Sequence, residues 1–194
     1  NVIQETIEQH AEFNNITIEY AIQETPLGTG NAVLSTLSLL SDDDTNLIVN
    51  GDNPLLKSDT LQNVLEYFAK GQQSDLLITA VNASDPSGSG RIILKDNRFD
   101  GIIEEKDCNE EQRKLTIVNC GIYVAYGNVL KKYIPLIKNN NAQKEYYLTD
   151  IVEVYRSDGN FPSLYILPTS KELEMVNVNT RDQLDNLNNI LSTK

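Results

Sequence analysis

Apolar positions recur at helical spacing in the first dozen residues, where Val2, Ile3 and Ile7 share one stripe and predict an amphipathic helix. Asn14-Asn15 follows as a loop. From Ile16 to Ile22 the pattern becomes an alternation rich in β-branched residues, which predicts a strand. Leu27-Gly-Thr-Gly30 reads as a turn, and Asn31 to Leu40 as a helix buried on most sides. The acidic turn Ser41-Asp-Asp-Asp-Thr45 precedes a short apolar strand, Asn46 to Asn50, that ends in Gly51-Asp52. Residues 58–70 predict a second amphipathic helix with Ser58 as N-cap, and Leu76 to Val81 a third, buried strand. Helices alternating with continuous apolar strands predict an α/β protein with a mainly parallel sheet covered on both faces. Ligands bind such a sheet at the carboxyl ends of its strands, which puts Gly28–Gly30 and Gly51-Asp52 on one rim.

The pattern changes in the middle third. Residues 88–106 predict a hairpin turning at Asp96-Asn97, and Thr116 to Ala125 another strand. Residues 128–138 and 149–157 read as helices, Leu164 to Leu167 as a strand, and Thr180 to Leu191 as a final amphipathic helix capped by Thr180. No internal repeat or long linker divides the chain, so residues 1–194 are taken as a single domain.

Composition narrows the chemistry. The chain has 194 residues, 40% hydrophobic and 23% charged, enough for one sizeable core. Sixteen Lys and Arg stand against 28 Asp and Glu, a net charge of −12, which argues against a nucleic-acid partner. A nucleotide ligand remains compatible, because its phosphates need only a few local donors or a metal. No apolar run approaches the ~20 residues of a membrane span, so no membrane partner is expected. Cys108 and Cys120 make no disulfide framework, and a reduced cytoplasmic setting is the expectation. His10 is the single histidine and sits in a polar stretch that reads as a solvated helix end. A His-rich zinc site is therefore excluded, and a Ser-His-Asp or Cys-His set would need His10. Chemistry is expected on carboxylates, amides, backbone N–H groups and a hard metal ion.

Three segments offer such groups, and each has a plainer reading beside it. Leu27-Gly-Thr-Gly-Asn31 could present backbone N–H groups to a phosphate or base edge, or could simply be a tight turn using glycine for positive φ. It is no Walker A loop, since no Gly-Lys-Ser/Thr follows. Asp52, just past an apolar strand, is placed to hold a hard cation against a polyphosphate, or to cap a turn. Ser84-Asp-Pro-Ser-Gly-Ser-Gly-Arg91 with Gly101-Ile-Ile-Glu-Glu-Lys106 permits close ligand approach and a Glu that accepts from sugar hydroxyls, or forms an exposed charged hairpin.

Taken together, these segments resemble the uridylyltransferase domain of the bacterial N-acetylglucosamine-1-phosphate uridylyltransferases, the UDP-N-acetylglucosamine pyrophosphorylase family. The resemblance runs from about Ile22 to Leu184. Its most specific stretch is Asn140-Asn-Ala-Gln-Lys-Glu-Tyr-Tyr-Leu-Thr-Asp150, similar to the family's Asn-Ala-Gln-Gly-Glu-Tyr-Tyr-hydrophobic-Thr-Asp signature. Gln23 with Leu27-Gly-Thr-Gly-Asn-Ala-Val33, Gly51-Asp52 with Pro54-Leu55, Asp85 to Ile92, Gly101 to Asp107, Asn119 with Gly121-Ile122, and Val178-Asn-Thr-Arg181 match in the same order.

The resemblance implies a Rossmann-like three-layer α/β fold of the nucleotide-diphospho-sugar transferases, with a hairpin-rich sugar-binding lobe. It implies transfer of a uridylyl group from UTP to N-acetylglucosamine 1-phosphate, giving UDP-N-acetylglucosamine and pyrophosphate, with Mg²⁺ as cofactor. Asp52 and Asn179 match the metal ligands, with Asn177 in reserve should the register be shifted by two. Gln23 matches the side chain that reads uracil, and Gly28 and Thr29 the turn beside the uridine. Asn50 and Gly51 precede the metal-binding Asp on the same rim and are counted with the substrate-binding residues. Gly90, Glu104 and Asn119 match the groups that hold the sugar, and Tyr147 and Thr149 match residues lining its pocket.

Three departures accompany the match. The family's opening Leu-Ala-Ala-Gly-x-Gly-Thr-Arg-Met loop and downstream Pro-Lys have no counterpart, so the first βαβ unit is expected to be missing and activity of these residues alone to be low. Asn50 stands where the bacterial enzymes often carry an aromatic. No hexapeptide repeats occur, so acetyl transfer is not expected. A relative using another sugar or base, a non-catalytic UDP-sugar-binding module and the product of a split or decayed gene remain as alternatives. A homo-oligomer is open, with the last helix able to pack on a neighbouring subunit.

Overall fold

The computed structural model describes residues 2–9, 16–71, 74–96 and 98–192. His10, Asn14-Asn15 and Asn97 lie outside the described residues.

Two long strands form the centre. β2 (Leu76–Asn82) is buried along its whole length except Asn82, and β5 (Ile117–Tyr126) lies antiparallel to it. β6 (Ser163–Leu167) pairs parallel with the far edge of β2. The other edge of β5 is shared. β1 (Thr45–Ile48) runs antiparallel against its carboxyl half, from Thr45↔Tyr126 to Ile48↔Tyr123. β3 (Arg91–Lys95) meets its amino half at Arg91↔Val118 and continues into β4 (Arg98–Ile103), the hairpin expected from the sequence. The order is β4-β3-β5-β2-β6, with β1 also on β5.

This sheet is mixed, which corrects the expectation of a mainly parallel one. β2–β6 is the parallel pair among the described strands; the others are antiparallel. β1, β2 and β6 do run in one direction, as the helix–strand alternation predicts, but β5 is inserted between β1 and β2 in the opposite sense. Continuous apolar runs report burial on both faces, not strand direction.

Helices cover both faces. α3 (Ser58–Gly71) packs Val64 and Phe68 against Leu77, Val81, Ile122 and Val124. On the other face α5 (Gly127–Tyr133) and α6 (Ile151–Ser157) pack around Leu76, Ile78 and Tyr123. Cys120 is buried in the first of these clusters, and burial pushes its thiol up to about 12, as a core residue requires. α1 (Val2–Glu8), α2 (Thr29–Leu34), the short α4 (Glu110–Arg113) and α7 (Arg181–Ser192) complete the chain. Gln183 N donates to Thr180 Oγ1 at 3.2 Å, the cap expected for the last helix.

Two expectations fail. Residues 16–22 form no strand; Ile16 is 61% exposed and Ile22 78%. β propensity becomes a strand only where a neighbour supplies a ladder and a core takes the apolar face. The helix expected from Asn31 to Leu40 is the six-residue α2 followed by a 3₁₀ turn, Leu37–Leu39. Only Gly30 and Val33 of α2 are buried, and Leu34 and Leu39 are exposed.

A groove of about 490 Å³ separates β4 from α6 and is lined by Ile102, Ile103, Asp150 and Glu153. Asp150 occupies the N-cap of α6 without a capping hydrogen bond. Burial, with Glu153, Glu104 and Asp107 nearby, raises its carboxyl to about 6. The helix N-terminus favours an anion there, but desolvation and like charge outweigh it. The folded state thus holds this proton more tightly than the unfolded chain. Its ionisation costs stability above pH 6, and the cost disappears as the pH falls towards 4. Asp150→Asn should therefore be more stable than wild type at pH 8, by about 1 kcal/mol after allowance for partial exposure, with no gain at pH 4. Thermal melting across that range is the measurement; a variant less stable at pH 8 would mean that the carboxylate has a stabilising partner.

Candidate functional site

The glycine turn is fastened to the Tyr-Tyr-Leu-Thr signature. Tyr146 N donates to Leu27 O at 2.7 Å, Gly30 N to Tyr146 O at 2.7 Å, and Leu148 N to Thr29 Oγ1 at 2.9 Å. The backbones approach so closely that a Cβ on Gly28 would lie 2.6 Å from Tyr146 O, and Gly28 has φ +114°. Both readings of this turn bear on its chemistry: the glycines serve a close backbone contact within the chain, and that contact fixes the turn against Tyr146-Tyr147. Gln23 Nε2 donates to Gly28 O at 3.1 Å and to Asn31 Oδ1 at 2.8 Å, so the side chain stands over the turn.

The signature itself is held from within. Asn141 exchanges hydrogen bonds with Glu145, and Asp107 Oδ1 accepts from Ala142 N at 2.9 Å. Leu148–Asp150 then forms a 3₁₀ turn that delivers Thr149 to Glu104. Thr149 Oγ1 donates to Glu104 Oε1 at 2.8 Å. A Cβ on Gly90 would lie 3.3 Å and 3.4 Å from the Glu104 carboxylate oxygens, so the loop before β3 presses its bare backbone against that carboxylate. Asn119 N donates to Gly90 O at 2.8 Å. Asn119 Nδ2 donates to Tyr123 Oη at 2.8 Å, and its Oδ1 accepts from Gly121 N at 3.2 Å, which orients the amide. Gly90, Glu104, Asn119 and Thr149 are thus brought together.

Burial raises the Glu104 carboxyl, against the Thr149 bond that favours its ionised form. Tyr147 is buried and shares with Glu104, Asp107, Asn140 and Asp150 the lining of a cavity of about 830 Å³. Burial, with those carboxylates nearby, pushes its hydroxyl up to about 12, so it stays protonated.

Asp52 follows β1 in a turn with Asn50 and Gly51. Its Oδ1 is buried and has no hydrogen-bond partner among the described residues. An orphaned buried carboxylate oxygen is costly unless something absent from the protein completes it. Val178 N donates to Asp52 O at 2.9 Å, which lays residues 177–179 along the turn. Asn177 Oδ1 already accepts from Asn53 Nδ2 at 2.8 Å. Among the described residues the Asn179 side chain makes no hydrogen bond, to Asp52 or any other; its main-chain N–H donates to Gln183 Oε1 at 2.7 Å. Asn179 rather than Asn177 is therefore the amide with a free carbonyl. One carboxylate and one amide oxygen suit a cation that prefers oxygen and keeps several waters, so this donor set fits Mg²⁺.

Asn50 joins the two halves. Gly121 has φ +70°, and a Cβ there would lie 2.4 Å from Asn50 Nδ2. The amide of Asn50 is packed on bare backbone in β5, two residues from Asn119. Gly51 is exposed, with open space above its Cα.

Two buried charges were not singled out from the sequence. Arg91 is 1% exposed; it pairs with Glu105 at 2.5 Å and donates to Ser89 O and Arg113 O. It ties the Gly90 loop to the residue after Glu104. The signal was an arginine opening an otherwise apolar strand, Arg-Ile-Ile-Leu. Glu174 is the second, and its signal was a carboxylate inside Leu-Glu-Met.

Comparison with known proteins agrees with this geometry. The sequence pattern described as nucleotidyl transferase matches residues 1–168. A protein of Acanthamoeba polyphaga mimivirus named a probable UDP-N-acetylglucosamine pyrophosphorylase is 49% identical over 191 residues, 97% of this chain and 74% of that protein. The bifunctional protein GlmU of Francisella tularensis subsp. novicida is 38% identical over 189 residues, 97% of this chain and 40% of that protein. GlmU of Clostridium botulinum strain ATCC 19397 is 37% identical over 182 residues, 93% of this chain and 38% of that protein. The chain spans well under half the length of these bifunctional relatives. Among solved structures, a Bacillus anthracis protein named a glucose-1-phosphate thymidylyltransferase, in complex with sucrose, matches with a TM-score of 0.67 at 17% identity. The match covers 94% of this chain and 76% of that one, and it shows the fold alone. With the sheet, the orphaned Asp52 and the Glu104 pocket in place, the family match is decisive: the chain belongs to the nucleotidyl transferase family.

Proposed function

We propose that this chain carries the transfer of a uridylyl group from UTP to N-acetylglucosamine 1-phosphate, releasing pyrophosphate and UDP-N-acetylglucosamine. The observation that carries the reading is the orphaned Asp52 oxygen joined, through Asn50 on Gly121, to the pocket built by Gly90, Glu104 and Asn119. The name of the mimivirus relative supports the choice of base and sugar.

The reaction is a single displacement. A phosphate oxygen of the sugar phosphate attacks the α-phosphorus of UTP as the bond to the bridging oxygen breaks, and pyrophosphate departs. The nucleophile is already ionised at neutral pH, so positioning and charge neutralisation matter more than a general base. Asp52 and Asn179 would hold Mg²⁺, which when bound neutralises charge on the α-phosphate and the leaving group.

The remaining work falls to the chain's own residues. Glu104, ionised, accepts from a sugar hydroxyl while Thr149 fixes its orientation. Asn119 and the Gly90 backbone close the same pocket, and Tyr147 supplies its buried wall. Gln23, held on Gly28 O, keeps its amide carbonyl for the uracil edge, and Gly28 and Thr29 stand below it. Asn50 and Gly51 lie where uridine meets the diphosphate, with Gly51 leaving room for it. The unpaired Cys108 and Cys120 suit the reduced cytoplasm, where this reading places the active protein.

Pyrophosphate release by the full chain should require UTP, N-acetylglucosamine 1-phosphate and Mg²⁺ together, with dTTP a poor substitute. Asp52→Asn should lower the rate by about 10²-fold or more without loss of fold. Release that is indifferent to Asp52 would place the metal elsewhere.

Glu104→Ala should weaken UDP-N-acetylglucosamine binding by about 10- to 100-fold, the effect of losing a charged hydrogen bond of roughly 1.5–3 kcal/mol. Because the Glu104 carboxyl is raised, wild-type affinity should decline on acidification earlier than for an ordinary glutamate, and Glu104→Gln should flatten that dependence. Calorimetry between pH 5 and 8 decides; an Ala variant with wild-type affinity would mean that the sugar sits elsewhere.

A further inference from the structure

Glu174 is 6% exposed, an unusual place for a carboxylate, and the proposed reaction does not use it. It lies near the end of the 3₁₀ segment Thr169–Met175. Its Oε2 accepts from Thr60 Oγ1 at 2.5 Å and from Lys57 N at 3.3 Å. Its Oε1 accepts from Lys171 Nζ at 2.9 Å, and Lys171 reaches on to Asp59 at 3.0 Å. Burial alone would push this carboxyl up, but the bonds from Thr60 and Lys171 outweigh it and hold the group below the usual range.

These bonds join the two strips of chain that bear the metal-side residues. Lys57 immediately precedes α3 and Thr60 lies in its first turn, a few residues after the Asp52 turn. Glu174 precedes Asn177 and Asn179 on the other strip. The strips run antiparallel and are tied at four points: Lys171 to Asp59, Glu174 to Lys57 and Thr60, Asn177 to Asn53, and Val178 to Asp52. The Lys171 and Asn177 ties end on exposed side chains, and the Val178 tie is one main-chain bond. The Glu174 tie joins a buried carboxylate to the buried Thr60 hydroxyl, so the register of Asn179 against Asp52 leans on it. Groups that orient metal ligands in this way, without touching the ion, contribute strongly to its affinity.

We propose that Glu174 is a positioning residue that fixes Asn179 against Asp52 and so sets the affinity of this site for a divalent cation. The inference rests on the reading of Asp52 and Asn179 as the metal-holding pair. Glu174 itself stays bonded to α3 and does not contact the ion. A brace that served only stability would lower the melting temperature and leave the metal affinity of the folded protein unchanged.

The test uses the full chain and Mn²⁺ in the presence of UTP, with free Mn²⁺ read by electron paramagnetic resonance. Asp52→Asn is the reference, and metal-free UDP-N-acetylglucosamine binding by calorimetry reports on the sugar pocket. Glu174→Ala should weaken Mn²⁺ binding about tenfold while leaving sugar-nucleotide binding within about twofold of wild type. Glu174→Gln, which keeps an acceptor for Thr60 and Lys57, should recover most of the loss. Thr60→Val, which leaves Glu174 in place but removes its shortest bond, should show a smaller loss in the same direction, and decides the matter if Glu174→Ala does not fold. Unchanged Mn²⁺ affinity in the folded Glu174 and Thr60 variants, with Asp52→Asn impaired, would overturn the positioning role alone. Unchanged affinity in Asp52→Asn would overturn the metal-site reading and this inference with it.

Discussion

The close approach of Asn50 to Gly121 is the contact on which the site depends. β5 can take a side-chain amide onto its backbone there because Gly121 has no Cβ and adopts a left-handed conformation. The same position interrupts the β2–β5 register between Ile78 and Ala80, and Thr79 Oγ1 fills the gap with a bond to Ile122 O at 2.9 Å. A strand that ran straight through would push the turn after β1 outward and carry Asp52 away from Asn119. An alanine at 121 would meet both the backbone strain and the Asn50 amide.

Around that contact the molecule uses charge burial sparingly. Arg91 and Glu174 are buried charges outside the substrate pocket; both Glu174 oxygens are bonded, and Arg91 is held through its two terminal nitrogens by Glu105 and by Ser89 O and Arg113 O, while its Nε has no partner among the described residues. Such pairs add little net stability, since desolvation offsets attraction. Their value is geometric. Arg91 admits one position of the Gly90 loop relative to Glu104-Glu105. Glu174 favours one register of residues 174–179 along the segment from Asp52 to Thr60. Glu104 differs: its carboxylate is buried without a cation, satisfied by Thr149 alone, and so retains acceptor capacity for a ligand.

What was legible in the sequence follows from this division. Short-range chemistry was readable: the glycine turn, the Asp after an apolar strand, the Thr180 cap, the hairpin and the Asn-Ala-Gln signature each rest on residues near one another in the chain. Two-sided burial of β2 was readable from its apolar run, but its antiparallel partner was not, because β5 reaches it from some forty residues further along the chain. Residues 16–22 have the alternation of a strand and lack one, since pattern records a preference and pairing needs a neighbour. Glu174 was invisible for the same reason: its partners Lys57 and Thr60 are more than a hundred residues away.

The hairpin's attachment has a mechanical consequence. β3 touches the rest of the sheet at one rung, Arg91↔Val118, beside the Asn119–Gly90 bond. Four residues beyond that rung lie Lys95 and Arg98, at the end of an arm about 13 Å long. Along its other strand the arm is braced against α6 and the core, where Arg156 pairs with Asp100 at 2.8 Å and Phe99 and Ile102 pack inward. A swing of 1 Å at the tip becomes a few tenths of an ångström near Gly90, so substitutions at the tip are mechanically attenuated. A change at Lys95, Asp96 or Arg98 therefore reaches the sugar pocket only weakly, whereas a change at Arg91 acts at its edge.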